Sequence, residues 1–448
     1  MSQSFATEGP RSATPAFAGN AGPASPPTPA EWALVLGLLG LVFALQFAAT
    51  WHLTALAAFD QYNLFFDADS NQYISAVAHG WSFNRAIHPG FALLFNVPAR
   101  AIDLVASMAG LLQPGAVRAM LPLLVPATSG LVAGLFWWLA CCQAGLSPLA
   151  RTGGLLLMQG SFSQVLFASV PECYPVSGAF YGVLLWAAAR AHRHPQRLEA
   201  WQVQGAWIVL AVVMTGVTVT NGAVCVAVWL ALRLRAARWR RWLAEGLIGS
   251  VVVGGSILGI GALDRWAYSL EPVAAGSTLR KVSNHGLASN FVPASVSLRA
   301  LELPAHALAS IVSPPALMIR NELAEQNANR YQFGFSFIES AVSLPRLMTG
   351  WALMLLGVVV ALPRLASSAL ARACAALFAF NAALHAVWGS EVFLYSQHWL
   401  AFLVFAIAAA LHRAGATGER MLCAAGVAVA AHSAWRFGGM IATLETWR

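Results

Sequence analysis

The sequence predicts an all-α protein that crosses a membrane many times. Hydrophobic residues make up 58% of the 448 residues and charged residues 10%, whereas soluble domains average roughly 45–50% and about 25%. Apolar runs of about 20 residues, the length that a helix needs to cross a bilayer, recur along the chain. Arginines cluster in the short connections between these runs, as in loops on the cytoplasmic side of a membrane.

Composition also excludes other classes of protein and divides the chain. The formal charge of +8 is almost wholly arginine, but no basic stripe alternates with aromatics as nucleic-acid binding would require. The six cysteines lack CxxC or zinc-ligand spacing, so we interpret them as small buried hydrophobic residues. We expect a disordered cytoplasmic tail (1–30), a transmembrane module (31–263), an external loop region (264–345) and C-terminal transmembrane helices (346–448).

The basic connections predict the orientation, because short arginine-rich loops face the cytoplasm. "HRHPQR" (192–197) and "RLRAARWRR" (233–241) can both face it only if the segment 204–232 crosses twice. An Asn-Gly pair favours a turn, so we predict a hairpin that turns at Thr220-Asn221-Gly222. The other basic connections are 143–151, "PRLASSALAR" (363–372) and "HRAGATGER" (412–420).

The same argument predicts that the apolar stretch 91–112 does not cross the membrane. It must stay outside if "SVPECYP" (169–175) is to lie on the external face. The stretch contains Pro98, Arg100 and Asp103. Arg100 and Asp103 are three residues apart and would share one face of a helix, which suits a helix lying along the membrane interface.

About eleven spans satisfy these conditions, with the N-terminus inside and the C-terminus outside. One large external loop with juxtamembrane helices then covers about 55–113. The spans are about 32–54, 118–141, 149–168, 176–191, two within 204–232, one before residue 264, and then 346–362, 370–388, 392–411 and 421–443. Acidic and polar clusters fall outside, so we expect any catalytic or transport site to open to the external face.

Three motifs occur in order in the first half of the chain: "DADSNQYI" (67–74), "HPGFALLF" (88–95) and "PECYPVSGAFYG" (171–182). Their order and topology resemble the GT-C superfamily of membrane glycosyltransferases, which includes the protein O-mannosyltransferases and the aminoarabinose transferases of lipid A. In that family one acidic residue lies in the first external loop, a "hPPGyPL"-like stretch follows, and a second acidic residue opens a later loop. Here only one proline precedes Gly90, and Cys-Tyr rather than Val-Tyr follows Glu172. The second half of the chain aligns with no subfamily.

The resemblance implies sugar transfer from a polyprenyl-phosphate donor to an acceptor on the external, periplasmic face. The phosphate leaves without a general acid, so the site needs a base for the acceptor hydroxyl. It also needs positive charge or a divalent cation beside the phosphate. We assign the base to Asp69, with Asp67 orienting it or helping to hold a cation. Alternatively, both aspartates only cap a helix that begins at Ser70.

Each of the remaining catalytic or ligand candidates has two interpretations, a role in the site and a purely structural role. Glu172 is the third catalytic candidate, or a solvated loop residue. His88 is a cation ligand or phosphate contact, or a structural loop histidine. We interpret Asp103 as a face residue of the interfacial helix.

Further residues are candidates for substrate binding. Arg85 suits the lipid phosphate, because a guanidinium binds phosphate bidentately. Glu391, Tyr395 and His398 share a helical face at the external end of the tenth span and suit donor-phosphate or acceptor contacts, or else interfacial anchoring. Other external cations available to the phosphate are Arg280, Lys281, Arg299, Arg320, Arg330 and Arg346.

Two other functions remain as alternatives. An O-antigen polymerase or ligase typically uses paired arginine-rich external loops, whereas here the acidic loop is the prominent feature. A lipid-linked sugar transporter would favour inverted repeats and charges buried within spans, which the sequence lacks. The arginine- and alanine-rich composition indicates a bacterial inner membrane. The sugar, the acceptor and any metal requirement stay open.

Overall fold

The computed structural model describes residues 26–59, 64–66, 68–80, 87–234, 239–268, 296–313, 318–319, 333–334, 368–387 and 392–446. This part of the chain is predominantly helical. The helices are α1 (Pro29–Ala55), α2 (Ser70–His79), α3 (Phe91–Met108), α4 (Ala116–Ala144), α5 (Pro148–Gly160), α6 (Phe162–Phe167), α7 (Cys173–Arg193), α8 (Trp201–Val217), α9 (Val219–Arg233), α10 (Trp239–Ala267), α11 (Val296–Ile311), α12 (Ala369–Val387), α13 (Leu400–Arg413) and α14 (Gly415–Thr446). Two 3-10 helices cover Pro195–Glu199 and Val392–His398.

Two short strands complete the described elements. β1 (Met318–Ile319) and β2 (Phe333–Gly334) pair antiparallel. Phe333 also joins the loop that follows α1, because its N–H donates to Leu64 O at 2.7 Å and its carbonyl accepts from Phe66 N at 2.6 Å. The loop that follows α1 and the later segment that contains Phe333 therefore fold against each other.

The helices are those of a membrane protein. Four in the described part of the chain (α1, α3, α4 and α10) are long and apolar enough to cross a bilayer, and α8, α9, α12 and α13 are shorter and apolar. Leucines such as Leu36 and Leu45 on α1 and Leu247 and Leu258 on α10 are exposed, as expected of surfaces that face lipid. The predicted class is confirmed to this extent. The predicted span 346–362 lies outside the described residues.

Two basic connections meet at one end of the bundle. Ser147 donates a hydrogen bond to Glu419 (Oγ to Oε1, 2.7 Å), which joins the connection 143–151 to 412–420. The buried guanidinium of Arg151 pairs with Glu31 at the start of α1 (2.9 Å). The first residues of α1, α5 and α14 therefore lie together.

The other basic connections also meet. Arg233, the last residue of α9, pairs with Glu199 just before α8 (2.9 Å), so α8 and α9 form an antiparallel hairpin. Arg372 at the start of α12 donates to the Ala231 carbonyl (3.3 Å). This places the described residues of the connections 192–197, 233–241 and 363–372 side by side.

Both groups lie at the same end, because α4 and α7 run parallel. Ala133 lies against Gly182, and Phe136 contacts Trp186 one turn further on, with ring centroids 5.4 Å apart. The C-terminal ends of α4 and α7 therefore share one end of the bundle. We call it the basic end and the opposite one the site end. The described residues of all five connections that the sequence predicts on one side of the membrane lie at the basic end.

The α8–α9 hairpin turns two residues earlier than predicted. Thr218 has extended backbone (φ −154°, ψ 132°), and the following N–H, of Val219, donates to the Ile87 carbonyl at 3.0 Å. The predicted turn residues lie inside α9. Gly222 is required there for close packing, since a Cβ would lie 1.9 Å from Thr215 Oγ1.

Helix α3 ends at Met108, and its contacts lie at the site end. The sequence suggested that Arg100 and Asp103 share one face of an interfacial helix. In the structure the two side chains have different partners. Arg100 donates to the His79 carbonyl (3.1 Å). Asp103 is buried and accepts the N–H groups of Gly115 (2.8 Å) and Val117 (3.1 Å) at the start of α4. Its charge therefore satisfies unpaired N–H groups of a helix N-terminus.

Two predicted spans are interrupted. Extended backbone at Ser161 (ψ 140°) divides the stretch 149–168 into α5 and α6. The stretch 392–411 begins with a 3-10 helix, and its α-helix starts only at Leu400. Gln397 in this 3-10 helix occupies the space above Gly178 of α7, where a Cβ would meet its Oε1 at 2.4 Å. Tyr395 and His398 therefore lie on a 3-10 helix and not on one face of an α-helix, and Glu391 lies outside the described residues.

Candidate functional site

Asp69 occupies the N-cap position of α2 but does not cap it with its side chain. The helix begins at Ser70 as predicted, and the Asp69 carboxylate makes no capping hydrogen bond. Its Oδ1 instead accepts from Gln72 Nε2 at 3.2 Å. Asp69 is half-buried. Asp67 lies outside the described residues. Capping thus does not account for the Asp69 carboxylate.

Glu172 is buried, not a solvated loop residue. It is 1% exposed, and its Oε1 accepts the N–H of Cys173 at the start of α7 (2.7 Å). Its Oε2 has no hydrogen-bond partner, and no lysine or arginine of the described chain pairs with it. The backbone N–H of Asp69 also stabilises the Glu172 carboxylate.

The Glu172 carboxyl is accordingly difficult to ionise. Burial raises its pKa to about 8, with a further contribution from the Asp69 charge. Desolvation and a like charge both disfavour the ionised form of a carboxyl. Two carboxyls that lie close together in different surroundings have divergent charge states. Burial and the neighbouring charge therefore both favour the neutral form of Glu172.

His88 and Gly90 attach the second motif to the α8–α9 turn. His88 Nδ1 donates to the Val217 carbonyl at 2.7 Å and lies 3.1 Å from Thr218 Oγ1. Nδ1 thus carries the proton, and Nε2 faces Cys173 Sγ at 3.9 Å. Burial lowers the His88 pKa to about 4. Gly90 packs so closely that a Cβ would lie 2.7 Å from Ile260 Cγ2.

Tyr395 and His398 lie beside the acidic pair. The Tyr395 ring contacts Tyr174 edge-on, with centroids 5.4 Å apart, and His398 lies 5.7 Å from Tyr174. Tyr174 is two residues after Glu172, so the 3-10 helix and the third motif share this region. Every predicted site residue that the structure describes therefore lies in one region of the site end. Arg85 and Glu391 lie outside the described residues, as do Arg280, Lys281, Arg320, Arg330 and Arg346, and of Arg299 only the helical backbone is described.

Sequence reasoning missed three buried polar residues of this region. Tyr73 of α2 is fully buried near Glu172. Burial is the main cause of its raised pKa, and the Glu172 charge is the second cause. Asn381 and His385 lie on α12 beside His398. Asn381 and His385 are four residues apart in an apolar run, and polar groups within a membrane helix are a signal of function.

The described residues do not form a metal centre. No three His, Cys, Asp or Glu side chains among them are arranged to hold a metal ion. Asp69 and Glu172 supply only two carboxyls. We therefore derive no step that depends on a metal ion.

Comparisons with family models, curated proteins and solved structures gave no match for this chain. The site offers the carboxyl of half-buried Asp69, the buried carboxyl of Glu172, a neutral imidazole and two tyrosine rings. Such a set can accept a proton, donate hydrogen bonds and contact an apolar face, as transfer to a hydroxyl requires.

Proposed function

We propose that the protein is a GT-C-type membrane glycosyltransferase that uses a polyprenyl-phosphate sugar. The convergence of Asp69 and Glu172 at the end opposite the basic connections supports this proposal most strongly. The two carboxyls come from separate motifs and lie 103 positions apart in the sequence. A solvated pair would need no such convergence, whereas proton transfer at a shielded site does.

In the proposed reaction Asp69 removes the proton of the acceptor hydroxyl. The acceptor oxygen forms a bond to the anomeric carbon while the bond from that carbon to the donor phosphate oxygen breaks. The bonding electrons leave with the polyprenyl phosphate, and Asp69 later releases its proton to solvent. Asp69 suits this step because it is only half-buried, so a substrate can reach it.

Glu172 has a different role in this proposal. As a neutral acid it can donate a hydrogen bond from Oε2, the atom that lacks a partner among the described residues. Donation to Asp69 or to the acceptor oxygen would hold the reacting groups in place. His88 is neutral and cannot supply positive charge. We assign the charge beside the leaving phosphate to Arg85, three residues earlier, because a guanidinium binds phosphate bidentately.

The proposal includes eleven spans in a bacterial inner membrane, with the N-terminus inside. Cysteine labelling of intact cells tests this orientation. Gln113 and Gln196 are exposed and lie at the site and basic ends, whereas Ser70 and Glu172 are too buried to label. A cysteine at 113 should react with an impermeant reagent in intact cells, and one at 196 only after permeabilisation. The opposite pattern would place the acidic pair in the cytoplasm and contradict the use of an external donor site.

A transfer assay tests the function. Purified protein in vesicles is given polyprenyl-phosphate mannose, glucose or aminoarabinose, and release of polyprenyl phosphate is measured with transfer to added acceptors. We expect at least one donor to be consumed by the wild type and not by Asp69→Asn. Movement of an intact donor across the vesicle membrane without cleavage would instead indicate a transporter. Consumption of every donor by both proteins at equal rates would reject Asp69 as the base.

A further inference from the structure

An apolar cavity opens between three helices at the basic end of the bundle. Its walls come from the last turns of α9, the start of α10 and the start of α12, and its volume is about 580 Å³. The lining residues are Ala227, Leu230, Ala231, Leu234, Trp242, Arg372, Ala375 and Ala376. We call it the Arg372 cavity, after the charged residue of this lining. It lies at the end opposite Asp69 and Glu172, so the proposed reaction does not account for it.

The polar groups of the Arg372 cavity lie at the helix ends, and its apolar groups lie deeper in the bundle. Arg372 and Trp242 are each the fourth residue of their helices, α12 and α10. The lining alanines of α12 follow Arg372 by about one turn. Along α9 the lining extends from Leu234 back to Ala227, a distance of about 10 Å at 1.5 Å per residue. This order matches the order of headgroup and acyl chain in one leaflet of a bilayer.

Two hydrogen-bond donors lie in the cavity. Trp242 Nε1 is buried and has no hydrogen-bond partner among the described residues, and an indole N–H can only donate. Arg372 Nε donates to the Ala231 carbonyl at 3.3 Å, which holds the guanidinium at the wall. A guanidinium carries five N–H donors in a planar fork that matches phosphate oxygens. An indole N–H and a guanidinium in one cavity therefore suit an anionic group that only accepts, such as a phosphate diester.

The charges around the cavity favour a ligand with net negative charge. Glu199 and Glu245, the carboxylates that connect α8, α9 and α10 at this end, each contact both Arg233 and Arg241. The lining itself includes no carboxylate. An ammonium group on a ligand would therefore face Arg372 without an anion in the cavity to contact. Charge complementarity thus favours an anionic phospholipid over a zwitterionic one.

The cavity is also accessible from lipid. Leu234 of the lining is exposed, as are Leu243 and Leu247 of α10, and exposed leucines on a membrane helix face acyl chains. Trp239 at the start of α10 is exposed as well, and tryptophans at helix ends lie at the level of the headgroups. A lipid can therefore enter the cavity sideways, with its phosphate near the helix ends.

We infer that the Arg372 cavity binds the phosphate and one acyl chain of an anionic phospholipid. The phosphate accepts from Arg372 and from Trp242 Nε1, and the acyl chain lies against the leucines and alanines of the lining. Basic pockets between transmembrane helices on the cytoplasmic side bind anionic headgroups in other membrane proteins. A polyprenyl phosphate has the same chemistry, but a donor bound here would lie at the end away from Asp69. The ligand is therefore a lipid of the leaflet at the basic end, which is the cytoplasmic leaflet in the proposed orientation.

Native mass spectrometry of the purified full chain tests this inference. Dissociation constants are measured for phosphatidylglycerol and phosphatidylcholine with the same acyl chains, and for polyprenyl phosphate. The wild type should bind phosphatidylglycerol about tenfold more tightly than phosphatidylcholine. Arg372→Gln should lose about tenfold for phosphatidylglycerol, the effect of one charge-assisted hydrogen bond, and Arg372→Lys should lose less. Arg190→Gln is the matched control, because Arg190 is also at the basic end and lies over a tryptophan, Trp186, but does not line the cavity.

Two further variants avoid the bond between Arg372 and Ala231, whose loss could itself unfold the protein. Trp242→Phe removes the N–H and keeps an aromatic ring, and should weaken phosphatidylglycerol binding about three- to tenfold. Ala376→Trp fills the cavity and should abolish the preference for phosphatidylglycerol. Ala428→Trp, at an exposed position of α14, is its control and should bind as the wild type does. Melting temperatures measured without added lipid show which variants are folded.

Four outcomes would overturn the inference. Equal binding of both phospholipids by the wild type would exclude selection by charge. Equal losses in Arg372→Gln and Arg190→Gln would mean that the whole basic end attracts anionic lipid. Unchanged binding by folded Ala376→Trp would place the lipid elsewhere. Tighter binding of polyprenyl phosphate than of phosphatidylglycerol, lost in Ala376→Trp, would make the cavity a site for the donor lipid. Asp69→Asn should bind phosphatidylglycerol as the wild type does, so a failure of the transfer reaction and a failure of this site are distinguishable.

Discussion

The carboxyl groups at the two ends of the bundle differ in their charged partners. At the basic end the described carboxylates contact basic side chains at 3.0 Å or less: Glu31, Glu199, Glu245 and Glu419. At the site end Asp103 and Glu445 also contact basic side chains. Glu172, however, is buried there without a lysine or arginine from the described chain, and Asn381, His385 and His398 have buried atoms without hydrogen-bond partners among the described residues. Ion pairing explains the first set structurally. The second set costs stability, and such costs are typical of functional sites.

The largest expected effect of breaking this contrast is at Asp69. Asp69→Asn keeps the shape but cannot accept a proton, so we expect turnover to fall roughly 100- to 10,000-fold while donor binding is unchanged. Asp67→Asn should cost less. Asp103→Asn is the matched control, because Asp103 is also at the site end but bonds the N–H groups of α4. Turnover is measured with the polyprenyl-phosphate sugar. If Asp67→Asn is inactive while Asp69→Asn is active, the base is Asp67 and not Asp69.

The next effect concerns stability at the basic end. The Arg151 and Glu31 side chains are 1% and 8% exposed, and removing one partner of a buried pair costs roughly 3–5 kcal/mol. Arg151→Gln should therefore lower the midpoint of thermal unfolding strongly, without changing turnover per folded molecule. Glu31→Gln added to it should restore part of the loss. If Arg151→Gln instead abolishes turnover in protein that melts normally, the division between the two ends is wrong.

Glu172→Gln should reduce turnover by about 10- to 100-fold while insertion into the membrane stays normal. The smaller effect than at Asp69 follows from the proposed role, since glutamine can still donate a hydrogen bond but with a different geometry and no exchangeable acid. Turnover and membrane-fraction yield are measured together. Wild-type turnover would mean that Glu172 serves only as the cap of α7.

The same variant should change how stability depends on pH. The Glu172 pKa is about 8 when folded and near 4.5 when unfolded, so the folded state binds more protons between these values. The stabilisation that comes from protonated Glu172 in the folded state is complete below about pH 4.5 and is lost as the pH rises to about 8. Between pH 5 and pH 9 the midpoint of thermal unfolding should thus fall less steeply with rising pH in Glu172→Gln than in wild type. Identical slopes would show that Glu172 is ionised in the folded protein.

Sequence reasoning succeeded where the signal is local. Runs of apolar residues predict most of the helices, and arginines in short connections predict which helix ends lie together. It failed at residues 220–222, because an Asn-Gly pair can serve packing as well as a turn. Asn221 instead bonds the side chains of Tyr181 and Ser177.

The parts of the site that could not be predicted depend on contacts between distant segments. Glu172 reads as a loop residue at the end of a span, and its burial arises from packing against the start of α2. His385 is a lone histidine in an apolar run until the 3-10 helix brings His398 to it. That helix itself was predicted as the first turns of an α-helix, since the space above Gly178 is not visible in the sequence.

The smallest effect is expected at Glu445, which tests whether location at the site end or burial distinguishes a functional carboxyl. His52 Nε2 and Glu445 Oε1 lie 2.9 Å apart at the site end, but their side chains are 48% and 50% exposed. An exposed pair contributes less than about 1 kcal/mol, because solvent competes for and screens the interaction. Glu445→Gln should leave both turnover and the melting temperature close to wild type. If Glu445→Gln lowers turnover as Glu172→Gln does, position at the site end alone decides function. If turnover is unchanged, burial without a charged partner distinguishes the functional carboxyl.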